Sequence, residues 1–355
     1  MCYRGFMQTP IHDDSDEFSA TSWHLPGGDT DKPSLLMPLA DAVDAVARLE
    51  ASAAAASPAV AEGLRARIAY REAAGWLAHA HTWLHPRDLA LRDAGLTGSY
   101  AVAVLAGRLQ AELPTMALGG SAPEVVPSDQ MVGTALRLAR LWRRLAEHRT
   151  WRPLADAAAV RDTLGSLGWS VTTADAAVDE WLATMHRPDP GPALIRAGRG
   201  ARDWINRQGH ADPLAMDGLF LAACLWRENG FGRDIALPFW SAPVQFHHRL
   251  ALQVGVAWLA SCLTCITAAS RAARDELVGL QRAEMAGASL TRTARSQLPR
   301  ALDHVLCTPV VTARGLAEHL AISSQAALGL LQQLTAAGVV REATGRAAWR
   351  AFTTT

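Results

Sequence analysis

The sequence predicts a mainly α protein in which a multi-helix bundle precedes a C-terminal winged helix-turn-helix domain. Three observations carry that prediction. The chain is rich in alanine, leucine and arginine, the strongest helix formers, and Lys32 is its single lysine. Apolar residues recur at three- and four-residue spacing through much of its length, the period of a helix with one buried face. From Leu298 onward, three short amphipathic segments are followed by two alternating segments around a turn, the order of a helix-turn-helix with a hairpin attached.

Size and charge narrow the classes. A chain of 355 residues and 38.0 kDa is expected to hold two or three folding units. With 50% hydrophobic and only 19% charged residues it has material for a core and lacks the signature of intrinsic disorder. Lys plus Arg number 34, as do Asp plus Glu, and the zero net charge excludes a broadly basic nucleic-acid binder. That balance is a cancellation. Residues 1–60 hold 3 basic and 9 acidic groups, whereas residues 271–355 hold 10 and 6. The five cysteines (Cys2, Cys224, Cys262, Cys265 and Cys307) are odd in number and scattered, which points to reduced thiols and a cytoplasmic location. No apolar run follows a basic start, so no secretory signal is expected. Leu250 to Ser270 runs 21 residues without a charge. Its polar Gln253, Ser261, Thr264, Thr267 and Ser270 favour a buried central helix, and no membrane association is expected.

Taken in order, residues 1–33 read as a flexible acidic leader, with a run of acids from Asp13 to Glu17 and the pair Gly27-Gly28. Residues 34–192 form an N-terminal helical domain. Its first helix carries Leu39, Val43, Val46 and Leu49 on one face, a second spans about residues 59–84 and is broken at Pro86, and a third covers 99–113. A glycine- and proline-containing loop over 119–127 leads to a helix from Met131 to Glu147. Its arginines Arg137, Arg140, Arg143 and Arg144 fall within an arc of about 120°, which reads first as a solvated face. The segment 186–192, HRPDPGP, marks the interdomain break. Residues 193–296 form a second helical region, with helices over 193–206 and 214–228 and a long one over 244–280. Residues 297–355 are the winged helix-turn-helix.

In that last unit Leu302, Val305 and Leu306 share one helix face, which stops at Pro309. Thr312 is placed to cap a short helix bearing Leu316 and Leu320, and Ala321-Ile322-Ser323 turns into a third helix whose inward face is Ala327, Leu330, Leu331 and Leu334. Gly338 ends it. Val339 to Arg341 is a strand, Thr344-Gly345-Arg346 a tight turn, and Trp349 to Phe352 the return strand. The expected partner is double-stranded DNA. Ser323, Ser324 and Gln325 open the third helix, where backbone donors and short polar side chains meet phosphates and base edges, and Leu328 and Gln332 lie further along its outer side. Arg341, Thr344, Arg346 and Arg350 lie on or beside the wing, placed for the phosphate backbone or a minor groove. A single such module with few charges gains little affinity, so a homodimer is expected.

These residues also carry a resemblance. The run from Val310 to Phe352 looks like the winged-helix tail of many bacterial Fic-family (filamentation-induced-by-cAMP) proteins. It is similar, more closely, to an alphaproteobacterial, often plasmid-encoded family that joins a helical domain of unknown function to this same helix-turn-helix. The stretches Ala78 to Gly95 and Leu219 to Leu250 resemble that family's upstream part. The resemblance implies a DNA-binding protein, a transcriptional or plasmid-maintenance regulator. Fic enzymes transfer a nucleotide monophosphate with a histidine base and an anion loop holding glycine, asparagine and arginine. The nearest stretch here, His210 to Leu219, has the histidine and one glycine but no Asn-Gly-Arg core, so the phosphate cradle is missing. The resemblance thus implies at most a degenerate Fic-like nucleotide-binding scaffold. That scaffold and a plain protein-interaction module are the alternatives to a regulator.

No enzyme activity, cofactor or metal is expected. Cys262 and Cys265 lack a second pair and sit in the apolar helix, His79, His81 and His85 lack the metalloprotease glutamate, and His247-His248 reads as a turn cap. The glycines Gly198 and Gly200 lack the strand and the third glycine of a dinucleotide fingerprint.

Overall fold

The computed structural model describes residues 34–96, 128–169, 171, 174–188, 191–210, 212, 214–228, 234–290, 296–343 and 350–354. Among them lie thirteen helices and one small sheet: α1 (Leu36–Ala54), α2 (Pro58–His79), α3 (Pro86–Asp93), α4 (Asp129–Glu147), α5 (Ala157–Ser166), α6 (Asp175–Met185), α7 (Ala193–Gln208), α8 (Met216–Glu228), α9 (Val244–Ala251), α10 (Gly255–Ala288), α11 (Leu298–Cys307), β1 (Val311–Thr312), α12 (Ala313–Leu320), α13 (Ser324–Ala336), β2 (Val340–Glu342) and β3 (Ala351–Thr354). The mainly α class holds. The leader, the helix expected over 99–113, the loop over 119–127 and the wing turn with Thr344, Arg346 and Trp349 lie outside the described residues.

Local chemistry starts many of these helices. Ser57, Ser128 and Asp156 each accept a hydrogen bond from a backbone N–H three residues on, satisfying a donor that the first turn cannot. The second expected helix is shorter than its apolar pattern suggested. α2 stops at His79, His81 takes a left-handed φ of 56°, and Pro86, read as a breaker, instead opens α3, where its missing N–H costs nothing. On α1 the inward residue is Ala42, while Val43 is 49% exposed. The long helix expected over 244–280 is two helices, because Gly255 adopts a φ of 53° that a side chain disfavours.

α10 is the spine. By length and composition it would cross a bilayer, yet it packs along α1 and α2, and Trp258, Leu263, Cys265 and Ala269 on it are buried. α2 also packs on α4 and α11, and α7 on α8. Across the proline-containing segment after α6, Trp181 Nε1 donates to the Gly200 carbonyl oxygen at 3.1 Å, so the two sides share a buried hydrogen bond. Buried Glu72 accepts from the backbone N–H groups of Phe239, Trp240 and Ser241 at 2.9, 2.6 and 2.9 Å and fixes the turn before α9.

One apolar core runs from Ala42 in α1 to Phe352 in β3, so the C-terminal unit is continuous with the helices before it. At the junction a Cβ on Gly63 would collide with the Leu306 carbonyl oxygen, which lets α2 and α11 touch backbone to backbone. Arg67 lies in the same contact, 7% exposed. It donates to the carbonyl oxygens of Gly63 (3.0 Å), Leu306 (2.7 Å), Val305 (3.4 Å) and Thr308 (3.3 Å) and to Thr354 Oγ1 (3.2 Å). Glu276 of α10 stands 3.6 Å from its Nε.

Candidate nucleic-acid interface

The C-terminal unit is built from α11, α12 and α13 around Leu302, Leu306, Leu316, Leu320, Leu331 and Leu334, all buried. Thr312 caps α12, its Oγ1 accepting from Gly315 N at 3.0 Å. Ala321, at a φ of 55°, turns the chain out of α12, and the Ala317 carbonyl accepts from Ile322 N at 3.0 Å. Ser323 caps α13 by accepting from Ala326 N at 3.2 Å. Gly338, at a φ of 72°, closes α13, with Val339 N donating to the Leu334 carbonyl at 2.9 Å. The strands form an antiparallel sheet of order β1-β3-β2, with Arg341 opposite Thr353 and Glu342 opposite Phe352. β1 was not foreseen: two residues are too few for an alternating pattern.

The expected contact residues divide by position. Ser323, Ser324, Gln325 and Gln332 are exposed, and Leu328 is half-buried against the core. With Ala327, Leu331 and Leu334 facing inward, a helix turning about 100° per residue sets Gln325, Gly329, Gln332 and Ala336 on the outermost row. Gln333 is exposed beside them and was not singled out from the sequence, although the same rotation finds it. A Cβ on Gly329 would meet nothing within 4 Å. α13 carries no charged residue. Charge sits at its flanks: Arg341 is exposed on β2, and Arg350 before β3 holds its Nε 3.9 Å from Glu342 Oε2 across the hairpin. Arg314 on α12 is paired with Glu318 at 2.9 Å. Thr344 and Arg346 lie outside the described residues. Between α11 and α12, the rings of His304 and His319 stack at 4.1 Å between centroids, and burial with the neighbouring imidazole pushes His304 down to about 4.

Residues 298–353 match the family described as HTH DNA binding domain. This C-terminal unit is a helix-turn-helix DNA-binding domain. The match covers the end of the chain, and no curated protein matches the chain.

Most of the other residues singled out from the sequence make contacts within the chain. Arg137 donates to the Leu167 carbonyl at 3.2 Å, Arg140 pairs with Asp93 at 2.5 Å, Arg143 with Glu147 at 2.5 Å, and Arg144 lies 4.3 Å over the Trp151 ring. That face of α4 is tied to the chain itself. His85 Nδ1 caps α3 by accepting from Arg87 N at 3.1 Å, while His79 Nε2 lies 3.3 Å from Asp212 Oδ2. His247 does not cap a turn: it is buried inside α9 with Nε2 donating to the Phe239 carbonyl at 3.3 Å. His210 Nε2 is 2.8 Å from Asp217 Oδ2, which also accepts from Trp204 Nε1. Among the described residues no three His, Cys, Asp or Glu side chains group to hold a metal ion.

Proposed function

We propose that this chain is a transcriptional or plasmid-maintenance regulator that acts as a homodimer on double-stranded DNA. α13 lies in a major groove, and the helical body supplies the dimer contact or a partner site. The observation that carries the reading is the outer row of α13, uncharged and open, flanked by Arg341 on β2 and Arg350 just before β3. Such a surface reads base edges by hydrogen bonding and leaves the phosphates to its borders. An uncharged reading row with few arginines at its borders gives little affinity to one module, which supports a dimer. The buried free thiols of Cys224, Cys262 and Cys265 suit a reducing cytoplasm.

The test is a salt series of fluorescence-anisotropy titrations on fragments selected from genomic DNA, with the mass of the bound species measured by sedimentation. Arg346→Ala with Arg350→Ala is expected to weaken binding evenly across sequences and to reduce the salt slope by about one unit per arginine. Gln325→Ala is expected to relax sequence preference. Unchanged slopes, or no binding at low salt, would refute the reading.

A further inference from the structure

The DNA-binding module does not complete its own hydrogen bonds. The last turn of α11 needs partners for carbonyl oxygens that the helix has run out of N–H groups to satisfy. The oxygen of Val305 would take the N–H four residues on, but that residue is Pro309, which has none. The oxygens of Leu306 and Thr308 follow where the chain leaves α11 for β1, past the last turn of the helix. Arg67, from α2, supplies what is missing: its guanidinium donates to all three of these oxygens and, from the same fork, to Thr354 Oγ1 at the end of β3.

We infer that Arg67 is a positioning residue for DNA binding, through which the helical body holds the end of α11 and the end of β3 together and so sets where the wing stands relative to α13. The inference rests on the reading that this module docks on DNA. Two further features make α2 a rigid mount for the fork. The backbone contact between Gly63 and Leu306 leaves no room for α11 to shift on α2. On the other side the charge is held from α10: Glu276 lies 3.6 Å from Arg67 Nε and 3.1 Å from Arg71, which also donates to the Ala272 carbonyl at 3.4 Å. A planar fork with five donors fits this convergence of oxygens, and a lysine ammonium does not.

The experiment uses the full chain with Arg67→Met and Arg67→Lys, the latter keeping the charge opposite Glu276 without the fork. Hydrogen exchange followed by mass spectrometry is expected to speed up about tenfold in peptides covering 298–312 and 350–354, and to stay unchanged in α8. DNA affinity is expected to fall about tenfold. Arg350→Ala, costly in the wild type, is expected to cost little more in either Arg67 variant, because a misplaced wing has already lost that contact. Should Arg67→Met not fold, Arg67→Lys carries both measurements. Unchanged exchange in those peptides, or an Arg350→Ala effect of full size in the variants, would overturn the inference. If the wild type binds no DNA, the reading of function falls, and the exchange arm alone decides whether Arg67 holds the module.

Discussion

Arg350 and Glu342 face each other across the hairpin at 3.9 Å, both partly exposed, and an ion pair of this kind contributes at most about 1 kcal/mol to stability. Under the proposed docking, the same pair is a competitor, since a phosphate would have to displace the carboxylate to reach the guanidinium. Glu342→Ala is therefore expected to tighten DNA binding severalfold at low salt and to lose that advantage at high salt, as read by the anisotropy series. His247 makes a prediction about pH. It is fully buried, its Nδ1 has no hydrogen-bond partner among the described residues, and burial pushes it down to about 4. Below its ordinary value of 6.5 the unfolded chain takes up a proton that the folded one refuses. Stability is therefore intact above about pH 6.5 and falls as the pH drops toward 4, by at most about 1.4 kcal/mol per pH unit for this residue. Urea midpoints measured from pH 7.5 to 4.5 should show the decline, and His247→Phe should flatten part of it. A profile unchanged by that substitution would assign the decline to other groups.

At the scale of elements, α13 was legible because its determinants are local: Ser323 as cap, Ala327, Leu331 and Leu334 at helical spacing, and Gly338 at the end are all within reach of one another in sequence. α12 was legible for the same reason. α3, α5 and α6 were not. α3 is eight residues long and begins with a proline that also reads as a stop, and its cap is a histidine side chain, an uncommon N-cap that the sequence does not flag. Arg67 was illegible too, since nothing local marks one arginine among many as the buried one, four of whose five hydrogen-bond acceptors lie more than 230 residues away. The chemistry of α13 itself can be tested through Gly329. Alanine there fills open space and stabilises the helix by up to about 1 kcal/mol, so the melting temperature should rise. The added methyl also stands on the outermost row, so DNA affinity should fall. A rise in stability with undiminished affinity would place that row away from DNA.

For the whole molecule, the zero net charge conceals a separation between an acidic start and a mildly basic end. Deleting residues 1–33 is expected to tighten DNA binding at low salt through removal of a competing polyanion, with no effect at high salt; an unchanged affinity at both would dismiss that competition. The shared core makes a second demand. Helical body and DNA-binding unit should melt together in one calorimetric transition, and two resolved transitions would contradict the continuity of the core. The backbone contact between α2 and α11 then has a geometric consequence for the DNA. In a dimer joined through the helical bodies, a reading head bolted to its body, with no slack tether between them, fixes the distance and the rotational phase between two half-sites. Inserting half a turn of duplex between those half-sites, about five base pairs, should abolish paired binding, while inserting a full turn should restore part of it.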